Sequence, residues 1–157
     1  MSDDLTALEA WAAVLLSKIS PGQRRVIGRQ LAIELRRSQA QRIAQQRAPD
    51  GTTYVPRKNR KEFRGKAGRI KRQKAAMFNK LRTTVYLQTR VDENQIAIGF
   101  FGRVARLAHV HQEGLSDRVA PTGPTYNYPA RPLLGFSSSD RCLIRNAIIR
   151  QLDVQST

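Results

Sequence analysis

The feature that most constrains the fold of this chain is a dense run of basic residues near its middle. Residues 57–82 contain twelve lysines and arginines and a single acid, Glu62, so this window alone carries +11 in a chain of net charge +16. From Arg57 to Arg69 the sequence shows no hydrophobic periodicity. Charges at that density cannot be buried without partners, so the sequence predicts a long basic loop at 57–69 outside the core.

The other bulk features describe one modest domain. A chain of 157 residues, 40% of them hydrophobic and 6% aromatic, is long enough to bury a core without disulfides. The single cysteine, Cys142, excludes an internal disulfide framework, and its apolar neighbours predict a buried, inert thiol. Acids occupy the place where a secretory leader would carry positive charge, and no apolar run has the length of a membrane span. We therefore expect the chain to be cytosolic where it is made.

Hydrophobic periodicity predicts five helices. Apolar residues recur at three- and four-residue steps in five segments. Ser20 and Pro21, followed by Gln23, form a capping-box start for the second helix. Gly102 and Gly114 bracket the fourth. The predicted helices cover residues 4–19, 21–47, 70–83, 103–113 and 139–153.

Two runs with a high proportion of β-branched and aromatic residues predict a β-hairpin. They flank the turn sequence at residues 92–94, which places the hairpin at 84–101. Residues 52–55 predict a short additional strand, and the proline-, glycine- and tyrosine-rich stretch after Gly114 predicts a loop. The order of elements predicts an α+β fold, with several helices packed on a small antiparallel sheet and a long basic loop.

The first helix is separated from the rest of the chain by the break at Ser20 and Pro21. We therefore expect residues 1–19 to form an N-terminal helix that acts as an interface arm, with residues 20–157 as a single domain. The interface candidates on this helix are Leu8, Trp11 and Leu15.

Catalysis has little support in the sequence. His109 and His111 are two residues apart and cannot share one helix face, and Glu113 is the nearest acid along the chain. A metal site built from these three residues is less expected than packed or interface histidines. The twelve acids form no spaced pair suited to acid–base chemistry. We therefore expect no enzymatic activity, no catalytic residues, no metal and no cofactor.

The basic window leaves two functions open. A solvated loop of this charge attracts polyanions, since each phosphate that it meets releases counterions. Its spacing matches no groove-reading motif, so any contact with nucleic acid would be independent of sequence. The chain is then either an assembly protein or a sequence-independent nucleic-acid-binding protein. The candidate contacts with DNA or an acidic partner are Arg57, Lys58, Arg60, Lys61, Arg64, Lys66, Arg69, Lys71, Arg72 and Lys74.

Three stretches, taken in order, carry a family resemblance. They are residues 47–52 (RAPDGT), residues 98–114 (IGFFGRVARLAHVHQEG) and residues 128–136 (YPARPLLGF). This order resembles the phage virion morphogenesis family, the tail completion proteins of temperate contractile-tailed phages. The family's recurrent motif positions correspond here to His111, Gln112, Gly114, Pro129, Ala130, Arg131, Pro132, Leu133, Leu134 and Gly135.

The resemblance implies a structural role in the virion. It implies an action late in tail assembly at the head-proximal end, self-association into a neck ring, and contact with neck and tail proteins such as the terminator and the connector. It also implies contact with channel DNA without sequence specificity, no membrane, and a location in the host cytoplasm during assembly and then in the virion. Prolines and glycines would fix the path of the motif segment, and Arg131 would form a bidentate ion pair, either inside the fold or across subunits.

Overall fold

The computed structural model describes residues 2–17, 19–57 and 76–153, and it confirms the α+β class. Four helices and two two-stranded antiparallel sheets form the described part of the chain. In chain order they are α1 (Ser2–Leu16), α2 (Pro21–Ala44), β1 (Leu87–Val91), β2 (Ile96–Phe100), α3 (Arg103–Glu113), β3 (Ser116–Arg118), β4 (Thr125–Asn127) and α4 (Ser138–Asp153).

These elements group into two compact units. Unit 1 comprises residues 1–36, 89–98 and 138–157, and unit 2 comprises residues 37–88 and 99–137, within the described parts of those ranges. Helix α2 and both strands of the hairpin contribute residues to each unit.

Unit 1 is organised around the first half of α2. The predicted capping box starts this helix, because the Gln23 side chain accepts a hydrogen bond from the Ser20 backbone N–H at 3.2 Å. Ile27 and Leu31 are buried, and α1 contacts α4. A Cβ on Gly28 would lie 2.9 Å from Val91, so this glycine permits a close approach of the hairpin.

The hairpin is confirmed, with shorter strands than predicted. The Asp92 carboxylate accepts hydrogen bonds from the backbone N–H groups of Asn94 and Gln95, at 2.8 and 2.9 Å, which fixes the turn. Residues 84–86 form turns instead of strand, because the Leu87 N–H donates to the Thr83 carbonyl at 2.9 Å. The sheet therefore begins at Leu87.

The prediction of a helix at 70–83 is wrong for its described part. Residues 76–83 form bends and turns, and Phe78 has a φ of 65° that a helix does not allow. The reason is long-range: the Gln46 side chain accepts from the Met77 N–H at 2.8 Å and donates to the Met77 carbonyl at 2.9 Å. Residues 70–75 lie outside the described residues, as does the predicted basic loop beyond Arg57.

Helix α3 has the predicted bounds. Gly114 ends it in the left-handed conformation, with φ 68° and ψ 48°, and its N–H donates to the Val110 carbonyl. After α3 the chain forms a small sheet where only a loop was predicted. In this sheet Asp117 pairs with Tyr126 at the centre of β3 and β4.

Two smaller expectations are corrected. The predicted strand at 52–55 is a single antiparallel bridge between Arg47 and Thr53. Cys142 is exposed, because it lies on the outer side of α4, whereas the buried side of that helix carries Asp140 and Ile148. The apolar neighbours of the cysteine along the chain did not reveal which side of the helix it occupies.

Candidate interaction surfaces and the motif loop

The family-motif residues 128–136, called the motif loop below, are held by the last turn of α3. The Gln112 side-chain oxygen accepts hydrogen bonds from the backbone N–H groups of Leu133 and Leu134, at 2.8 and 2.9 Å. Its side-chain nitrogen donates to the Leu134 carbonyl at 3.1 Å. One glutamine therefore satisfies three backbone groups of a segment that has no regular secondary structure, as buried polar groups require.

A second set of contacts comes from residues before and after the Pro-Asp-Gly turn at 49–51. The buried Arg42 guanidinium donates to the carbonyls of Leu133 and Gly135, at 2.9 and 3.2 Å. The Tyr54 hydroxyl donates to the Pro132 carbonyl at 3.0 Å. Burial raises the pKa of Tyr54 to about 12, so the hydroxyl keeps its proton and remains a donor at neutral pH.

Arg131 is buried, with 5% of its surface exposed, and it points into unit 2. Its side chain donates to the carbonyls of Val55 and Pro56, at 2.8 and 3.3 Å, and approaches His111 Nδ1 at 3.4 Å. Its backbone N–H donates to the His111 carbonyl at 2.6 Å. Backbone carbonyls therefore take the place of the carboxylate partner that we expected for this arginine.

Two motif positions require glycine, because another backbone segment approaches each of them closely. A Cβ on Gly114 would lie 2.8 Å from the Ala130 nitrogen, and a Cβ on Gly135 would lie 2.7 Å from Pro49. Both glycines have positive φ, 68° and 145° respectively. A side chain at either position would force α3 or the 49–51 turn away from the motif loop.

Five aromatic rings in unit 2 form a continuous series of edge-to-face contacts. Tyr54 contacts Phe78 at 5.8 Å, Phe78 contacts His111 at 4.9 Å, and His111 contacts Tyr128 at 5.0 Å between ring centroids. Tyr126 continues the series from Tyr128 at 4.9 Å. Such contacts stabilise by about 0.5–1.5 kcal/mol each beyond the area that they bury.

His111 lies at the centre of this series and is held neutral. Burial, followed by the positive charge of Arg131, lowers its pKa from 6.5 to about 4. A neutral imidazole can accept the hydrogen bond from the Arg131 guanidinium, which a protonated ring cannot. His111 is therefore a packed histidine, as the sequence favoured.

The same contacts hold both described flanks of the basic segment, residues 58–75. On the N-terminal side, Arg131 binds the carbonyls of Val55 and Pro56. On the C-terminal side, Gln46 binds the Met77 backbone. Of the ten basic candidates, Arg57 is described and exposed, and the other nine lie outside the described residues.

The N-terminal interface candidates do not share one face of α1. Leu8 is half-buried on the side that carries Ala12, whereas 38% of the Trp11 surface is exposed. Val14 was not predicted as an interface residue, but it lies on the same side as Trp11 and 63% of its surface is exposed. The side chain of Leu15 lies outside the described residues.

The described residues show no arrangement typical of an active site. His109 and Glu113 are exposed on α3, apart from the inward-facing His111. Among residues 2–17, 19–57 and 76–153, no three histidine, cysteine or acidic residues are placed to hold a metal ion. None of the described helices is long and apolar enough to cross a membrane.

The sequence did not predict the long-range contacts of Arg42 and Tyr54 with the motif loop, or of Gln46 with Met77. Each residue binds a backbone segment 31 to 93 residues away, and the pattern around each one is ordinary for a helix or a turn. The contact of Arg42 could have been predicted from its position on the buried side of α2, next to the core residue Ile43. An arginine on an apolar face requires partners.

The sequence of the chain is similar to proteins of one phage family. A family model described as the phage virion morphogenesis family matches residues 3–153. The tail completion protein S of Escherichia phage P2 is 41% identical over 140 residues, which cover 88% of this chain and 91% of that protein. No solved structure matches the chain.

Proposed function

We propose that this chain, which belongs to the phage virion morphogenesis family, is a structural virion protein that completes the tail and allows it to join the head. The observation that carries the proposal is the 41% identity to a tail completion protein across 88% of the chain. A match of that extent covers both compact units and the motif loop. We propose no catalytic role for the chain.

The motif loop supports a scaffold role for the family-motif positions. Gln112, Arg131 and both motif glycines make contacts inside unit 2, so these residues fix the loop path. The loop surface that remains available to a partner is apolar, and it includes the exposed residues Ala130 and Phe136. We propose this rigid surface as a contact with a neighbouring tail protein, such as the terminator.

We propose that copies of the chain assemble into a ring at the head-proximal end of the tail, between the tail and the connector. Unit 1 supports this proposal, since α1 exposes the apolar residues Trp11 and Val14, which a neighbouring copy could cover. Residues 1–19 then act as the interface arm and residues 20–157 as the tail-completion domain. Assembly of such a ring would take place in the host cytoplasm, and the ring would remain in the virion.

The basic segment supports an anionic partner. Residues 58–75 contain nine bases and one acid, a net +8, which is half of the net charge of the chain. In a ring, copies of this segment would repel one another, because salt screens charges only beyond about 8–10 Å at physiological ionic strength. An anionic partner would offset this repulsion. We propose that it faces channel DNA or an acidic neighbour, and that DNA contact is independent of sequence. Binding to nucleic acid as a free monomer is the second candidate function, supported by the same charge.

The experiment is complementation of a phage that lacks this chain, read by electron microscopy of the lysate. Without the chain we expect filled heads and separate tails. A variant with Arg64, Lys66, Arg69, Lys71 and Arg72 changed to glutamine should give the same separation, and more strongly as the salt concentration rises.

A charge-matched control removes five exposed bases outside the segment. These are Arg37, Arg82, Arg103, Arg145 and Arg150. The control should join heads to tails at nearly the normal yield, because exposed charges contribute little to stability. Normal yield from the segment variant over a range of salt would contradict the role of the segment. Normal joining in the absence of the chain would contradict tail completion itself.

A further inference from the structure

Helix α1 has two apolar faces, and unit 1 uses one of them. The inner face carries Leu5, Leu8 and Ala12, which are half-buried and lie at three- and four-residue steps. The opposite face, called the outer stripe of α1 below, repeats the same spacing and is exposed. It consists of Ala7, Ala10, Trp11 and Val14. A helix with apolar residues on most sides is typical of a buried helix, so the outer stripe indicates a partner.

The charge of α1 restricts what that partner is. Residues 1–17 contain three acids and no base, a net −3, including the exposed Glu9. Residues 18–157 contain all 28 bases and the other nine acids, a net +19. The acidic, apolar first helix therefore differs in sign from the rest of its own chain. A second copy of this chain offers the complementary surface in every solution that contains the protein.

The first half of α2 presents a matching surface in unit 1. Its buried side carries Ile27 and Leu31, and its opposite side exposes Val26 and Ile33 with the exposed base Arg29 between them. These three residues are called the outer stripe of α2 below. Val26 and Ile33 are seven residues apart, as are Ala7 and Val14 in α1, which is about 10 Å along either helix. Equal spacing allows the two stripes to pack along two helical turns.

We infer that the outer stripe of α1 in one copy docks on the outer stripe of α2 in a second copy. The contact joins two different surfaces, so each copy offers one of each and the association continues from copy to copy. Trp11 and Val14 meet Val26 and Ile33 in this contact. This inference rests on the self-association proposed above and names the two surfaces that form it.

The test is the solution mass of the full chain, measured by sedimentation over a range of concentrations. The wild-type protein should associate in a concentration-dependent manner. Val14→Asp and Val26→Asp should each reduce association at least tenfold, since each buries a carboxylate in the apolar contact. The matched controls are Val85→Asp and Val119→Asp, because these valines are exposed to the same extent, 66% and 59% against 63% and 57%. Both controls should associate like the wild type.

Mixing the two defective variants tests the pairing of surfaces. A Val14→Asp copy keeps its α2 stripe and a Val26→Asp copy keeps its α1 stripe. An equimolar mixture should therefore form dimers and stop there, although each variant alone remains a monomer.

Three results would overturn the inference. They are a wild-type protein that stays monomeric at all concentrations, a Val26→Asp variant that associates normally, and a mixture that forms no dimers. Because these measurements use the purified chain alone, they are independent of the complementation experiment. Complementation by the wild type with a monomeric purified protein would leave tail completion in place and remove this contact.

Discussion

The motif loop and helix α1 differ in how completely each is held by its own chain. Gln112 of α3 satisfies three backbone groups of the motif loop, and only 5% of the surface of Arg131, in that loop, is exposed. In α1, by contrast, Trp11 and Val14 are exposed although they are apolar. From this contrast we propose a division of roles. Buried family-motif residues stabilise the fold of unit 2, whereas the exposed residues of α1 provide a surface for self-association.

We expect the largest loss of stability from a substitution of Arg131. Arg131→Ala leaves the carbonyls of Val55 and Pro56 without their donor and opens a cavity below His111. We expect a loss of about 3 kcal/mol in the free energy of unfolding, measured by urea denaturation. Gln112→Leu should cost about 2–3 kcal/mol for the same reason. Wild-type stability in both variants would mean that these residues serve a partner and not the fold.

Glycine substitution sharpens the contrast by testing the close approach of α3 to the motif loop. Gly114 lies in the left-handed region, with φ 68° and ψ 48°, and a Cβ there would meet the Ala130 nitrogen at 2.8 Å. Alanine in this backbone conformation alone costs about 1 kcal/mol. Gly114→Ala should cost about 2–3 kcal/mol, because α3 must also move. A loss of only about 1 kcal/mol in thermal or urea unfolding, the cost of the backbone conformation alone, would contradict a close approach of α3 to the motif loop.

Acid provides a smaller and reversible perturbation of unit 2. The pKa of His111 is lowered to about 4, so the unfolded chain binds the proton first as the pH falls. The stability that depends on neutral His111 is therefore complete above about pH 6.5 and is lost as the pH falls towards 4. We expect about 1–2 kcal/mol after allowance for the half-exposed ring.

Urea denaturation at pH 7.5, 5.5 and 4.5 measures this loss. His111→Phe keeps a ring in the aromatic series and should remove the difference between pH 7.5 and 5.5. His109→Phe is the control, since His109 is exposed on the same helix. An unchanged pH dependence in His111→Phe would show that another group is responsible.

The smallest effect on stability is expected in α1. Val14→Ser removes a side chain that is 63% exposed and should change the free energy of unfolding by about 0.5 kcal/mol or less. Self-association should nevertheless fall. A large loss of stability in urea would instead indicate that Val14 belongs to the core of unit 1.

Local signals in the sequence predicted much of this fold, and long-range contacts account for the rest. The capping box at Ser20 and the glycines that bracket α3 act within a few residues, so the predicted start of α2 and both predicted ends of α3 agree with the structure. The predicted ends of α1 and α2, at residues 19 and 47, are wrong, because these helices end at Leu16 and Ala44. The predicted helix at 70–83 is wrong in its described part because Gln46, 31 residues away, binds the Met77 backbone. The small β3–β4 sheet was missed because its strands have three residues each, too few for a periodic pattern.

The candidate sites follow the same rule. The sequence identified the motif positions through resemblance, but it did not show that Arg131 binds carbonyls and not a carboxylate. Trp11 was predicted as an interface residue, whereas Leu8 turned out to lie on the inner face of α1. Periodicity shows that a helix has apolar residues, and only the packing of the whole unit shows which of two apolar faces remains exposed.

The division of roles is tested most directly by counting joined particles in lysates complemented with one variant from each region. Val14→Asp changes the outer stripe of α1. Gln112→Glu keeps an acceptor for Leu133 and Leu134 but replaces the donor to the Leu134 carbonyl by a second acceptor. Both variants should accumulate as soluble, folded protein. We predict that Val14→Asp leaves most heads and tails separate, whereas Gln112→Glu joins them at a yield set by its modest loss of stability. Normal joining with Val14→Asp, together with failure of an equally stable Gln112→Glu protein, would contradict the account.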